Sequence, residues 1–231
     1  MKIAAKPQQI YNAPKKAFCE LERSVTRTIQ RRETVNTTQF SCKLHDIGES
    51  FVRQNQLDVL NSQGKRLAEK FVGLGNNTLA GIIYSLLIKI NPKGSPIIEQ
   101  LATNALVIAR RFHDPIHVMA RCNNLKEFYK ITQPGSKKHL KILQEEKRAL
   151  NEICKNYEKV QKRYCTLTRE MKPVEAYERQ LAAIKFEIAE MIQQSNKNEA
   201  INELNSALQI LEKHNIGSLT QKINALLAKL T

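Results

Sequence analysis

With 231 residues and 42% hydrophobic content, the chain can build one large domain or two small ones around a real core. Only eight Gly and seven Pro argue against a turn-rich β protein, and the absence of Trp leaves packing to Leu, Ile, Ala and Val. A formal net charge of +15 points toward acidic partners or a heavily solvated basic surface.

Residues 1–14, polar and containing Pro7 and Pro14, read as a tail. Residues 15–43 read as a short basic helix and a loop: Phe18, Leu21, Val25 and Ile29 step by three and four with arginines outside, and the Thr-rich stretch from 33 breaks the period. The segment from Met1 to Phe18 lacks the apolar core of a signal peptide. The five cysteines are an odd number with no Cys-x-x-Cys pair, so a disulfide framework or zinc site is not expected and a cytoplasmic location is. On that basis the sequons at Asn36 and Asn76 read as chance matches.

Residues 44–135 are expected to hold about four helices. A first runs to about Val72 and ends at Gly73-Leu74-Gly75-Asn76. A second, Leu79 to Ile90, is apolar on most sides and therefore buried; it is too short to cross a bilayer. Ser95 caps a third, with Pro96 at its first position, running to about Phe112. The fourth is Pro115 to Ile131. Asp114 is its N-cap, since a carboxylate accepts an orphan N–H, and Pro115 stands where a missing N–H is harmless.

Residues 136–231 read as a heptad-patterned helical hairpin followed by a C-terminal helix pair. Ser136 caps a long helix in which Leu143, Leu150, Tyr157, Tyr164 and Met171 recur every seven residues. Ile153, Val160 and Leu167 complete the seam, and Glu146 interrupts its start. Pro173 forces a kink or a turn. A second seam follows at Val174, Tyr177, Leu181, Ile184, Ile188 and Met191. Ile201, Leu204, Leu208 and Leu211 mark the next helix, which Gly217 ends; Ser218 caps the last.

One stretch resembles a known family. Ala105-Leu106, Ile108-Ala109, Asp114, Ala120, Asn123-Asn124-Leu125 and Tyr129 match, in order and spacing, the junction between successive tetratricopeptide repeats. Leu67-Ala68, Phe71 and Ile88-Lys89-Ile90 form a fainter echo about 40 residues upstream, a helical-repeat offset. Two departures stand out: Lys126 replaces a small residue and should hinder close helix contact, and Gln133-Pro134-Gly135 replaces a shorter turn. The resemblance implies a binding scaffold. It places ligand contacts at Asn123, Asn124, Glu127 and Lys130, where the amides would meet a peptide backbone and the lysine a carboxylate. The same asparagines have an alternative role in bonding neighbouring helices.

Other constellations carry less. His45-Asp46 is similar to the core of HD-type metal phosphohydrolases, but no histidine precedes it, so Asp46 also reads as a helix cap. His113 and His117 are split by the helix start at Asp114-Pro115 and do not share a face. His139 and His214 have no evident companions, and Cys122 and Cys154 read as small core residues. Charge is more informative. Residues 136–172 carry eleven basic and five acidic groups, whereas 173–231 carry six and seven. Lys141, Arg148, Lys155, Lys162 and Arg169 recur every seven residues, two before each seam position, in a stripe spaced about 10 Å apart. That stripe either meets an anionic polymer or surface or is an ordinary solvated face.

The expected protein is all-α: helical-repeat-like pairs, then a long coiled-coil-like hairpin. Its expected function is non-enzymatic binding of a peptide or protein, with no cofactor and no metal. The alternative is binding to nucleic acid or an anionic surface through the stripe, and an HD-type hydrolase is third. The heptad seam also leaves homo-oligomerisation open.

Overall fold

The computed structural model describes residues 7–165, 171–214 and 217–231. Among these residues there are eleven helices and no strand, so the chain is all-α: α1 Pro7–Gln30, α2 Thr37–Arg53, α3 Leu57–Gly73, α4 Asn77–Ile90, α5 Pro96–Arg111, α6 Pro115–Thr132, α7 Lys137–Lys155, α8 Tyr157–Cys165, α9 Val174–Ile192, α10 Lys197–Lys213 and α11 Gly217–Leu230. The chain forms two compact units, Met1–Ile108 and Ala109–Thr231. The sequence pattern places a boundary after residue 135. The contact boundary falls earlier because α6 packs on α7.

In the first unit, α1 and α2 meet through Phe18 and Phe51, edge to face at 6.3 Å, and α2 meets α3 through Phe40 and Phe71 at 6.0 Å. Leu60, Leu67, Leu79, Ile83, Leu87 and Leu101 fill the centre. Gly64 lets α3 approach α4: an added Cβ would lie 2.9 Å from the Cδ1 of Leu87. Asn61 and Asn91 close this interface with two reciprocal amide hydrogen bonds of 2.8 and 3.0 Å, satisfying polar groups that burial would otherwise penalise.

Several expected boundaries move, each for a local reason. Residues 7–14 are helical, and Pro14 lies inside α1. The loop expected to 43 ends at Asn36, whose side chain accepts from the Gln39 N–H at 2.9 Å and starts α2. Asp46 is therefore in the middle of α2 and caps nothing. The single helix expected to Val72 is two, because Asn55 adopts φ 55°. There the Gln56 N–H bonds the Phe51 carbonyl and the Asn55 N–H the Val52 carbonyl, both at 2.9 Å, the Schellman pairing that satisfies a helix end. The same pairing ends α1 at Arg32, α3 at Gly75 and α5 at His113. Ser95-Pro96, Asp114-Pro115 and Ser136 begin helices where expected.

In the second unit, α6 packs on α7, α7 on α9, α9 on α10 and α10 on α11. Leu143, Leu150 and Ile153 of α7 lie against Tyr177, Leu181, Ile184 and Ile188 of α9, so these parts of the two seams are buried, whereas Tyr157, Val160, Met171, Val174 and Met191 are half-buried. The long first arm is interrupted at Asn156, which leaves helical geometry at φ −120°, ψ 30°. Asparagine favours helix ends over interiors because its amide competes for backbone groups. Pro173 stands immediately before α9 and starts it. Gly217 is the first residue of α11 rather than the terminator of α10, which His214 closes through its N–H to the carbonyls of Leu211 and Glu212. Leu167 and Arg169 lie outside the described residues, as does the side chain of Ser218.

Candidate functional site on helix α6

Helix α6 is held at its start by Asp114, whose Oδ1 accepts from the N–H groups of Ile116 (3.1 Å) and His117 (3.2 Å). Burial pushes the Asp114 carboxyl up, but hydrogen bonds from the His117 side chain and from both backbone groups outweigh it and hold it below the usual range. The helix buries Arg121, Cys122, Leu125, Lys126, Phe128 and Tyr129. At about 3.6 residues per turn, the intervening positions 123, 124, 127 and 130 fall on the opposite side.

Those positions are the expected contacts. Asn123 and Asn124 are half-buried and their side chains make no hydrogen bond among the described residues; Glu127 and Lys130 are exposed. The structure thus gathers all four on one face. It also commits Lys130, whose Nζ donates to Glu187 Oε1 of α9 at 3.1 Å and lies 3.8 Å from Glu127. A partner's carboxylate would compete with Glu187 for it.

Lys126 does not obstruct the helix contact as expected. Its Nζ reaches the carboxylate of Glu146 on α7, 3.1 Å from Oε2 and 3.4 Å from Oε1. Gln180 of α9 donates to the same Oε1 at 2.8 Å. Glu146 therefore ties three helices at the position where it was expected to weaken the seam.

The four described stripe cations, Lys141, Arg148, Lys155 and Lys162, are all exposed and form no ion pair among the described residues. The first three share α7; Lys162 belongs to α8, past the break at Asn156. Other cations of the same unit are engaged: Glu203 takes Lys147 and Lys185, and Glu178 takes Lys213 and His214. Sequence reasoning missed these pairs, which join residues 18 to 56 positions apart.

The remaining chemistry is sparse. His45 and Asp46 lie on α2, where His45 Nδ1 is 3.4 Å from Glu49. Among the described residues, no group of three His, Cys, Asp or Glu side chains is placed to hold a metal. Cys19, Cys42, Cys122 and Cys154 are free thiols. Cys122 is fully buried, which pushes its thiol far up, and burial raises Cys154 to about 11. Neither is a ready nucleophile. No described helix is long and apolar enough to cross a membrane.

No protein-family model matches this chain, and no significant match is found among curated proteins.

Proposed function

We propose that the chain is a non-enzymatic, tetratricopeptide-like scaffold that binds a peptide or protein partner along the outward face of α6. One observation carries this reading. Asn123 and Asn124 present amides without side-chain hydrogen bonds beside exposed Glu127 and Lys130. Asparagine amides offer two donors and an acceptor each, matching the alternating groups of a peptide backbone. Free thiols at the four described cysteines fit a cytoplasmic setting. The test is capture of partners from native lysate by the wild type and by a variant carrying Asn123→Ala and Asn124→Ala. Nuclease-resistant protein partners, lost in the variant at unchanged helicity, support the site; retention of the partners in the variant removes it.

A second reading is favoured by the exposed cations Lys141, Arg148, Lys155 and Lys162 of α7 and α8, which form no ion pair among the described residues. Lys141, Arg148, Lys155 and Lys162 form a basic face suited to nucleic acid or another anionic surface, where binding would release counterions.

A further inference from the structure

A pocket of about 460 Å³ opens among α6, α7, α9 and α11 in the second unit. Its apolar lining comes from Leu143, Phe186, Met191 and Leu219, and its polar lining from His139, Glu187 and the rim residues Lys130, Glu190 and Lys222. The volume lies within the range of small-ligand sites, and the mixture of apolar walls with a few polar groups is typical of them.

His139 makes this pocket unusual. It is only 6% exposed, yet neither ring nitrogen has a hydrogen-bond partner among the described residues. Its backbone is fixed as the third residue of α7, where its N–H donates to Ser136 Oγ at 3.1 Å. The ring is placed by helix geometry, but its own polar atoms are not used. Glu187 Oε2 is likewise buried without a partner, while its Oε1 is held by Lys130. Buried polar atoms are almost always satisfied, and leaving them otherwise is costly. Burial also pushes the imidazole of His139 below its usual range, so at neutral pH it offers one donor and one acceptor.

The chemistry of an occupant follows from these orphans. Two lysines and two glutamates balance at the pocket, so neither a cation nor an anion is favoured overall. A purely apolar ring would fill the walls but leave the nitrogens and the carboxylate oxygen unmet. A phenol fills the walls and meets two of these three groups. Its ring packs on Phe186, Met191 and Leu219, its O–H donates to Glu187 Oε2, and its oxygen accepts from the His139 N–H. We propose that this pocket receives a tyrosine side chain of the bound partner, with His139 and Glu187 reading its hydroxyl. The proposal rests on the peptide-scaffold reading, because Lys130 belongs both to the α6 face and to the pocket rim.

The test uses the full chain and N-acetyl-tyrosinamide, with N-acetyl-phenylalaninamide as the comparison, followed by the ring resonances of the histidines in ¹H–¹⁵N spectra. Saturable millimolar binding of the tyrosine probe is expected, moving one histidine signal that is absent from His139→Leu. The phenylalanine probe should bind at least about ten-fold more weakly, since it leaves the buried groups unpaired. His139→Leu should melt no lower than wild type, because it removes two orphaned nitrogens, and yet lose the preference for tyrosine. Glu187→Gln should reduce the same preference. Absence of saturable binding, equal binding of the two probes, or a preference that survives His139→Leu would each overturn the proposal. Asn123→Ala with Asn124→Ala should leave probe binding intact. A failed probe titration therefore overturns the pocket alone, and a partner indifferent to the asparagine change overturns the α6 face alone.

Discussion

Lys126 of α6 and Glu146 of α7 form an ion pair in which both side chains are almost completely buried. Each residue is out of pattern by itself: the lysine stands at a position for a small residue, the glutamate in an apolar seam. Together they answer each other, and Gln180 of α9 supplies a further hydrogen bond. Two charges taken from water need excellent geometry to break even, so the pair specifies which helices meet more than it strengthens their meeting.

Removing one partner should be costly. Lys126→Met leaves a buried carboxylate uncompensated and is expected to lower stability by about 3–5 kcal/mol. Adding Glu146→Leu should restore most of that loss, since two apolar side chains can replace a buried pair. Chemical denaturation of both variants decides it; equal stability of the single and double variants would mean the pair contributes no coupling.

The pH dependence of two glutamates should run in opposite directions. Burial raises Glu146, and the opposing pull of Lys126 and Gln180 does not fully offset it. Its folded state binds a proton more readily than the unfolded state, so its contribution is present below about 4.5 and lost as pH rises through the raised value. Glu203 is the reverse. Burial pushes it up, but hydrogen bonds from Lys147 and Lys185 hold it below 4.5, so its contribution is present above that value and lost on acidification. Melting temperatures of Glu146→Gln and Glu203→Gln from pH 3 to 7 should diverge: relative to wild type, the first gains with rising pH and the second loses. Parallel profiles would contradict the assignment.

Both seams should be needed for stability. Leu150 of α7 is fully buried and Leu181 of α9 nearly so. Replacing either with Ala removes apolar atoms from a packed interface and should cost about 2–5 kcal/mol, read from denaturant midpoints. Midpoints unchanged in both variants would mean the seams are not closed in solution.

How much of this was legible depends on the range of the interaction. Caps were readable where chemistry and turn coincide within four residues, as at Ser95-Pro96, Asp114-Pro115 and Ser136. The break at Asn55 was not, because a left-handed helix end is usually announced by glycine, and here asparagine takes it. Arg32 and His113 end helices the same way, with still less signal. Asn36 and Asn76 stand in sequons that read as chance matches; in the fold they are N-caps of α2 and α4. The α6 face was visible because its four residues lie within eight positions. The pocket was not, since His139, Phe186, Glu187 and Leu219 come to line one cavity only through the packing of α7, α9 and α11, and no local spacing encodes that.

Gly64 offers a test of the first unit. A Cβ at this position meets Leu87 Cδ1 at 2.9 Å and Cδ2 at 3.0 Å, and Leu87 is itself buried. Gly64→Ala gains helix propensity but should still destabilise by about 1–3 kcal/mol through overpacking. Adding Leu87→Ala opens the space, so the alanine at 64 should then be neutral or favourable. A double-mutant cycle with no coupling would mean α3 and α4 separate without strain.

The basic stripe calls for a comparison in which total charge is held constant. Lys141, Lys155 and Lys162 are exposed and unpaired among the described residues, as are Lys93, Lys197 and Lys229. Lys185 and Lys213 would be poor controls, because their loss also breaks pairs with Glu203 and Glu178. Changing either triplet to Gln lowers the net charge of +15 by three. If the stripe binds an anionic partner as a unit, the first triplet should weaken binding to heparin or duplex DNA much more than the second. It should also flatten the salt dependence, because fewer counterions are then released. Each phosphate contact contributes a slope of about 0.9 in the log–log plot, so losing three contacts would be plainly measurable. Equal losses from the two triplets would instead reflect the overall field of a strongly basic chain, and would leave the α7 cations as an ordinary solvated face.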